Sequence, residues 1–207
     1  MAMQNFNIVL VGNNIPVQNV ELDDFRFRGR PLTAALRMPV ALEAEARGAK
    51  LTIIPERFQA AVTEPLDEPA ADASSLVEMA QAFFEYVGPR SFTATGHNAQ
   101  FTIDGTAERK DEVRRALIDI DRTQELIGRN LVGADVSVFF RLDAESVTRM
   151  AFATMGDDGD VLVDVNVNYN RTDLSAAEAV ARFPQNLAAI MTIADNLVTT
   201  FVGRVTS

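Results

Sequence analysis

Chemistry has few places to reside in this chain. Of its 207 residues one is histidine, His97, and none is cysteine. With no thiol and one imidazole, neither a Cys–His pair nor a multi-histidine metal site can be built within one chain. A Ser-His-Asp triad needs only one histidine, but the sequence holds no Gly-x-Ser-x-Gly elbow to present the serine. His97 stands in Gly96-His97-Asn98, a polar turn signal, and is expected to be an exposed loop histidine.

The carboxylates are plentiful but poorly arranged for catalysis. Asp119 and Asp121 flank Ile120 in a helical pattern, and residues two apart do not share a helix face. Solvation is the plain reading of both. Gly156-Asp157-Asp158-Gly159-Asp160 has the carboxylate density of a calcium loop without its ligand spacing or closing glutamate. Asp-Gly between two extended segments is a hairpin signal instead. Asp164, Asn166, Asn168 and Asn170 form a polar stripe along one face of a strand pattern. Such a stripe either binds a polar ligand or peptide or is simply wet. Asp164 is the best single candidate for a carboxylate-dependent reaction, although nothing in the sequence positions a partner for it.

The basic residues are nearly all arginine; Lys50 and Lys110 are the only lysines. Phe25-Arg26-Phe27-Arg28-Gly29-Arg30 interleaves aromatic and cationic side chains, as a nucleic-acid surface does. A formal net charge of −10 opposes that reading, because such a surface repels polyanions and anionic lipid. A segment with one packed Phe face and one Arg face, offering Arg26, Arg28 and Arg30 to a ligand or partner, is the better expectation. Val11-Gly12-Asn13-Asn14 lacks the further glycines and lysine of a phosphate loop. No cofactor and no metal are expected.

These residues need elements to position them, and the clearest lie in the C-terminal quarter. Val161, Val163, Val165, Val167 and Tyr169 alternate with Leu162, Asp164, Asn166, Asn168 and Asn170, the period of a strand with one dry face. Ser175-Ala176-Ala177-Glu178 is a capping box. Pro184 is expected in the first turn of a new helix, which then carries Leu187, Ile190, Met191, Ala194, Leu197, Val198 and Phe201 as an apolar stripe.

Upstream, residues 6–11 read as a strand and 17–31 as irregular. The alternation of Leu36, Met38, Val40, Leu42 and Ala44 predicts one strand, which Pro39 places at an edge or bulge. Arg47-Gly48-Ala49 turns into a second strand, and an extended pattern resumes at 57–63 after Pro55. The acidic, Pro-rich stretch near 64–74 reads as a linker. Ser75-Leu76-Val77-Glu78 then predicts a helix start, ended by Gly88-Pro89. Two short strands are expected on either side of Gly96-His97-Asn98, a helix over 107–127 ended by Gly128, and strands over 135–142 and 147–155.

Consecutive hairpins imply antiparallel pairing. The expected fold is α+β: a largely antiparallel, curved sheet with three main helices packed on one face, the C-terminal one long. Residues 1–207 form a single domain, with two pseudo-repeated halves as a looser alternative. The N-terminus shows no positively charged n-region, and no run reaches the ~18 apolar residues of a membrane helix. A cytoplasmic protein with no membrane partner is expected.

The Val161–Asn166 run, a polar stretch and a helix with spaced Leu187 and Phe201 resemble a sporadically distributed bacterial family of unknown function. Its members end in an apolar-Asp-apolar-Asp strand and a long helix closing on Phe; here Asn166 replaces the second Asp. The resemblance implies architecture and no activity. The function expected is that of a non-enzymatic, homo-oligomeric interaction protein binding itself or another protein, because an edge such as that expected at Pro39 needs covering or pairing. Alternatives are a small-ligand pocket lined by Phe140, Phe152, Met191 and Phe201, a SecB-like chaperone, and, last, a carboxylate-dependent enzyme.

Overall fold

A computed structural model describes residues 2–64, 68–87, 92–103, 120–128, 134–154, 161–170 and 174–204. In chain order the elements are β1 (Ala2–Val11), β2 (Arg26–Phe27), β3 (Arg30–Pro31), β4 (Thr33–Met38), β5 (Ala41–Ala46), β6 (Ala49–Ile54), β7 (Arg57–Val62), α1 (Pro69–Val87), β8 (Ala94–Ile103), α2 (Ile120–Ile127), β9 (Ala134–Phe140), β10 (Val147–Thr154), β11 (Val161–Asn170), α3 (Ala176–Ala181) and α4 (Phe183–Arg204). The class is α+β. Nine strands form one open sheet in the order β4-β5-β6-β7-β1-β8-β11-β10-β9, with β2 and β3 as a separate ribbon. All neighbours in the large sheet pair antiparallel.

Period-two patterning builds the sheet. On β1, Phe6, Ile8 and Leu10 are buried; on β11, Val161, Val163, Val165, Val167 and Tyr169 are. Each such side chain gains about 1.5–3 kcal/mol on leaving water. Two of the helices, α1 and α4, place aromatic rings against this dry face. Phe83 of α1 stacks on Phe58 of β7 with ring centroids 4.4 Å apart, and Phe183 of α4 lies 6.0 Å from Phe6 of β1. Phe152 is buried in this core, and Phe140 and Met191 pack half-buried against it. The side chain of Phe201, the fourth residue expected to line a small-ligand pocket, lies outside the described residues.

The two halves share a topology. In each, the opening strand (β1 or β8) pairs with the last strand of the meander that follows it (β7 or β11), and the meander runs outward to an edge (β4 or β9). The opening strands pair with each other at the centre, from Ala2↔Thr102 to Val11↔Ala94.

Several local expectations are met. Ser175 caps α3 through the reciprocal box with Glu178, and Pro184 sits in the first turn of α4. The Asp-rich turn 156–160 lies outside the described residues, yet β10 and β11 pair as a hairpin from Thr154↔Val161. Gly128 follows α2 with φ +61°, the left-handed conformation that ends helices. Of the helix expected over 107–127, residues 107–119 lie outside the described residues, and Ile127 at its end is exposed.

Four expectations are corrected. The single strand through Pro39 is two strands, β4 and β5, with Pro39-Val40 as the turn. A two-residue turn pairs residues of opposite parity, Met38 with Ala41 and Arg37 with Leu42, so the even-numbered side chains change face across it: Leu42 and Ala44 are buried, whereas Leu36 and Met38 are exposed. The stretch near 64–74 is not all linker, because α1 starts at Pro69, a residue whose missing N–H costs nothing at a first helical position. Ser75 therefore lies in the second turn of α1 and is buried instead of capping. Gly96-His97-Asn98 is no turn; it is the middle of the ten-residue strand β8, with Thr95, His97, Ala99 and Phe101 facing the core.

Candidate functional site

The expected polar stripe on β11 is one column of a larger array. Antiparallel register sets Asp164 opposite Gln100 and Asn166 opposite Asn98, and it sets those β8 residues opposite Asn5 and Asn7 of β1. Two rungs of side-chain hydrogen bonds cross the three strands. In the first, Asn5 Nδ2 donates to Gln100 Oε1 at 2.9 Å, and Gln100 Nε2 donates to Asp164 Oδ1 at 2.8 Å. A carboxylate can only accept, so Asp164 fixes the orientation of both amides. In the second, Asn166 donates to Asn98, and Asn98 Nδ2 donates to Asn7 Oδ1 at 2.7 Å. Arg149 of β10 stands opposite Asn166 and is 3.9 Å from Asp135, an exposed and weak contact. Together these residues line a cleft of about 310 Å³.

Asp164 and Asn166 are thus brought together with amides from two other strands. Asn168 and Asn170 are not: Asn168 faces Gly96 and Val147 in register, and Asn170 faces Ala94. The cleft offers amide donors and acceptors, one carboxylate and one guanidinium. Among the described residues that line it there is no second carboxylate and no imidazole to complete an acid–base pair. Among the described residues, no three His, Cys, Asp or Glu side chains are grouped to hold a metal ion.

The Phe/Arg run forms the β2–β3 ribbon, with Phe25 and Phe27 buried and Arg26 and Arg30 exposed, the two-faced segment the sequence predicts. Arg28 and Gly29 make its two-residue turn, with φ of 49° and 73°, signs that match a type I′ hairpin. Arg28 is not a free surface group. Its backbone N–H donates to Ser75 Oγ at 3.2 Å, Nε to Asp72 Oδ1 at 2.5 Å and Nη2 to the Glu68 carbonyl at 3.2 Å. Asp72 is fully buried, so Arg28 clamps the ribbon onto the start of α1 and neutralises an interior carboxylate. Arg26 turns back to the Gly29 carbonyl.

Sequence reasoning missed a third cluster. His97 is fully buried, its ring 5.0 Å from Phe183 and 5.4 Å from Tyr169. Asn186 of α4 points its Nδ2 at His97 Nδ1 (3.0 Å) and donates to Tyr169 Oη (2.7 Å). The Tyr169 hydroxyl donates to Asp143 Oδ2 at 2.9 Å, which also accepts from Arg182 at 2.8 Å. Burial works to raise the Asp143 carboxyl, but hydrogen bonds from Tyr169, Arg182, Ser146 and Glu145 outweigh it and hold it below the usual range. Burial drives the His97 imidazole down to about 3, against weaker opposing pulls from Asp143 and the Ala179 backbone. The amide of Asn186 places the ring proton on Nε2, which makes no well-formed hydrogen bond among the described residues. With no surface exposed, His97 cannot exchange protons with a substrate; it ties α4 to β8 and β11.

Two outcomes follow from these clusters. His97 has a folded pKa below its unfolded value of 6.5, so the unfolded chain binds the extra proton as pH falls, and stability is lost from 6.5 down toward about 3. Lowering the pH from ~7 to ~5 should cost about 2 kcal/mol in urea unfolding. His97→Gln should remove most of that slope, and an unchanged slope would contradict the assignment. Arg28→Ala should cost at least about 2 kcal/mol by leaving Asp72 buried and unpaired. Adding Asp72→Asn to it should recover part of the loss, whereas additive losses would show that the two groups act separately.

No protein-family model matches this chain, and no curated protein matches it in sequence.

Proposed function

We propose that the chain is a non-enzymatic, cytoplasmic binding protein that acts through its open sheet edges, pairing first of all with a second copy of itself. The observation that supports this is β4. All six of its residues, Thr33–Met38, are exposed, and it pairs on one side only, with β5. Leu36 and Met38 are 42% and 49% exposed, and Val40 in the adjoining turn is 59% exposed. Edge strands are usually blunted by charge, proline or a cover, because their unpaired backbone groups template further strands. On β4 the only charged side chain is Arg37, which turns back to the Val20 carbonyl at 3.1 Å. The opposite edge, β9, exposes Val138 and Phe139.

The reading takes the sheet as curved, with its main helices on one face; the Phe58–Phe83 and Phe6–Phe183 contacts support this. It takes residues 1–207 as one domain built from two diverged halves, which their shared topology supports. The strand bearing Asp164 followed by a long terminal helix accords with membership of the bacterial family of unknown function. Among the described residues no helix is long and apolar enough to cross a membrane. A SecB-like chaperone would use the same edges, with an extended segment of an unfolded client in place of the second copy.

Light scattering after size exclusion should show dimer growing in between about 1 and 100 μM. Leu36→Lys with Met38→Lys should leave a folded monomer, since both positions are exposed. A wild-type chain that stays monomeric throughout this range contradicts self-pairing. Suppression of a model client's aggregation, lost in the same double variant, would favour the chaperone reading instead.

A further inference from the structure

The basic residues are unevenly spread. Residues 26–57 hold seven Arg and Lys against three Glu, in a chain whose net charge is −10. The fold concentrates them further. The tip of the β2–β3 ribbon and the β5–β6 turn at Arg47-Gly48 close around a cleft of about 300 Å³ lined by Phe27, Arg28, Arg30 and Arg47. Three guanidinium groups thus share one concavity on an acidic protein.

They are not equivalent. Arg28 is committed to Asp72 and the Glu68 carbonyl. Arg30 and Arg47 are exposed and bridge no carboxylate among the described residues. Of the two acidic side chains of β5, Glu43 is held by Lys50 at 2.7 Å, and Glu45 forms no ion pair with Arg30 or Arg47 among the described residues. Phe27 is only 2% exposed, so it offers no surface on which a base could stack. The cleft recognises charge, and its size suits a compact ligand.

We propose that this cleft binds a small multivalent oxyanion, a phosphate or polycarboxylate compound, gripped by the planar forks of Arg30 and Arg47 with Arg28 as a fixed third charge. Arginine suits this task because its parallel N–H groups match two oxygens of one anionic group. A polyanion does not fit, because the net charge of the remaining surface repels an extended nucleic acid. The site stands independently of edge pairing.

The test is calorimetric titration of the full chain with pyrophosphate and, separately, with citrate, at low salt. Saturable binding at one site with a Kd of about 1 mM or tighter is expected for at least one of them, weakening as salt is raised. The variant Arg30→Gln/Arg47→Gln should bind at least about tenfold more weakly, with unchanged thermal unfolding. Arg26→Gln, at a position that does not line the cleft, should bind as the wild type does. Preference for pyrophosphate over citrate would identify phosphate as the recognised group, and the reverse would identify carboxylate. No saturable binding of either anion, or binding that survives the double variant, overturns the proposal.

Discussion

The antiparallel pairing of β1 with β8 is the constraint on which the rest of the molecule depends. Among the described strands it is the one seam between the two meanders of the large sheet, and it carries a different job on each face. Beneath it, Phe6, Ile8 and Leu10 join His97, Ala99 and Phe101 in the core. Above it, Asn5 meets Gln100 and Asn7 meets Asn98. A slip of one residue would put the amides into the core and the apolar side chains into water. Each amide bond adds only about 1 kcal/mol. Their larger contribution is to register, since two linked rungs can form in one alignment only.

The same seam explains why a histidine sits in the interior. His97, Tyr169 and Asn186 come from β8, β11 and α4, so their hydrogen bonds lock the final helix to the second half of the sheet. Through Tyr169 the network reaches Asp143 in the β9–β10 loop and Arg182 at the end of α3. Arg28 and Asp72 do the equivalent work in the first half, fastening the β2–β3 ribbon to α1. In both cases a buried polar group defines how a peripheral element docks, where apolar packing alone would tolerate several placements.

What was legible in the sequence is what local chemistry decides. The dry face of β11, the Ser175–Glu178 box and the helix restart at Pro184 rest on residues within a few positions of one another. Where the reading failed, the signal was local but the deciding contact was distant. Gly96 and Asn98 look like turn residues, yet β1 and β11 flank them and draw them into a ten-residue strand. Ser75 looks like a cap, but Pro69 begins the helix earlier and Ser75 serves Arg28, 47 residues before it. The polar stripe on β11 was visible; its partners Asn5, Asn7, Asn98 and Gln100 were not, because only the sheet order makes them neighbours.

The result is a protein with a cross-linked centre and open margins: polar rungs and a buried network in the middle, an all-exposed strand at one edge and exposed Val138 and Phe139 at the other. Native-state hydrogen exchange, resolved strand by strand in dilute solution, tests this picture most directly. Backbone amides of β1 and β8 should exchange slowest and together, with β11 close to them, while the outward amides of β4 exchange within the dead time. Amides of β1 and β8 that exchange as fast as those of β4, or two halves that open independently with the seam already free, would contradict it.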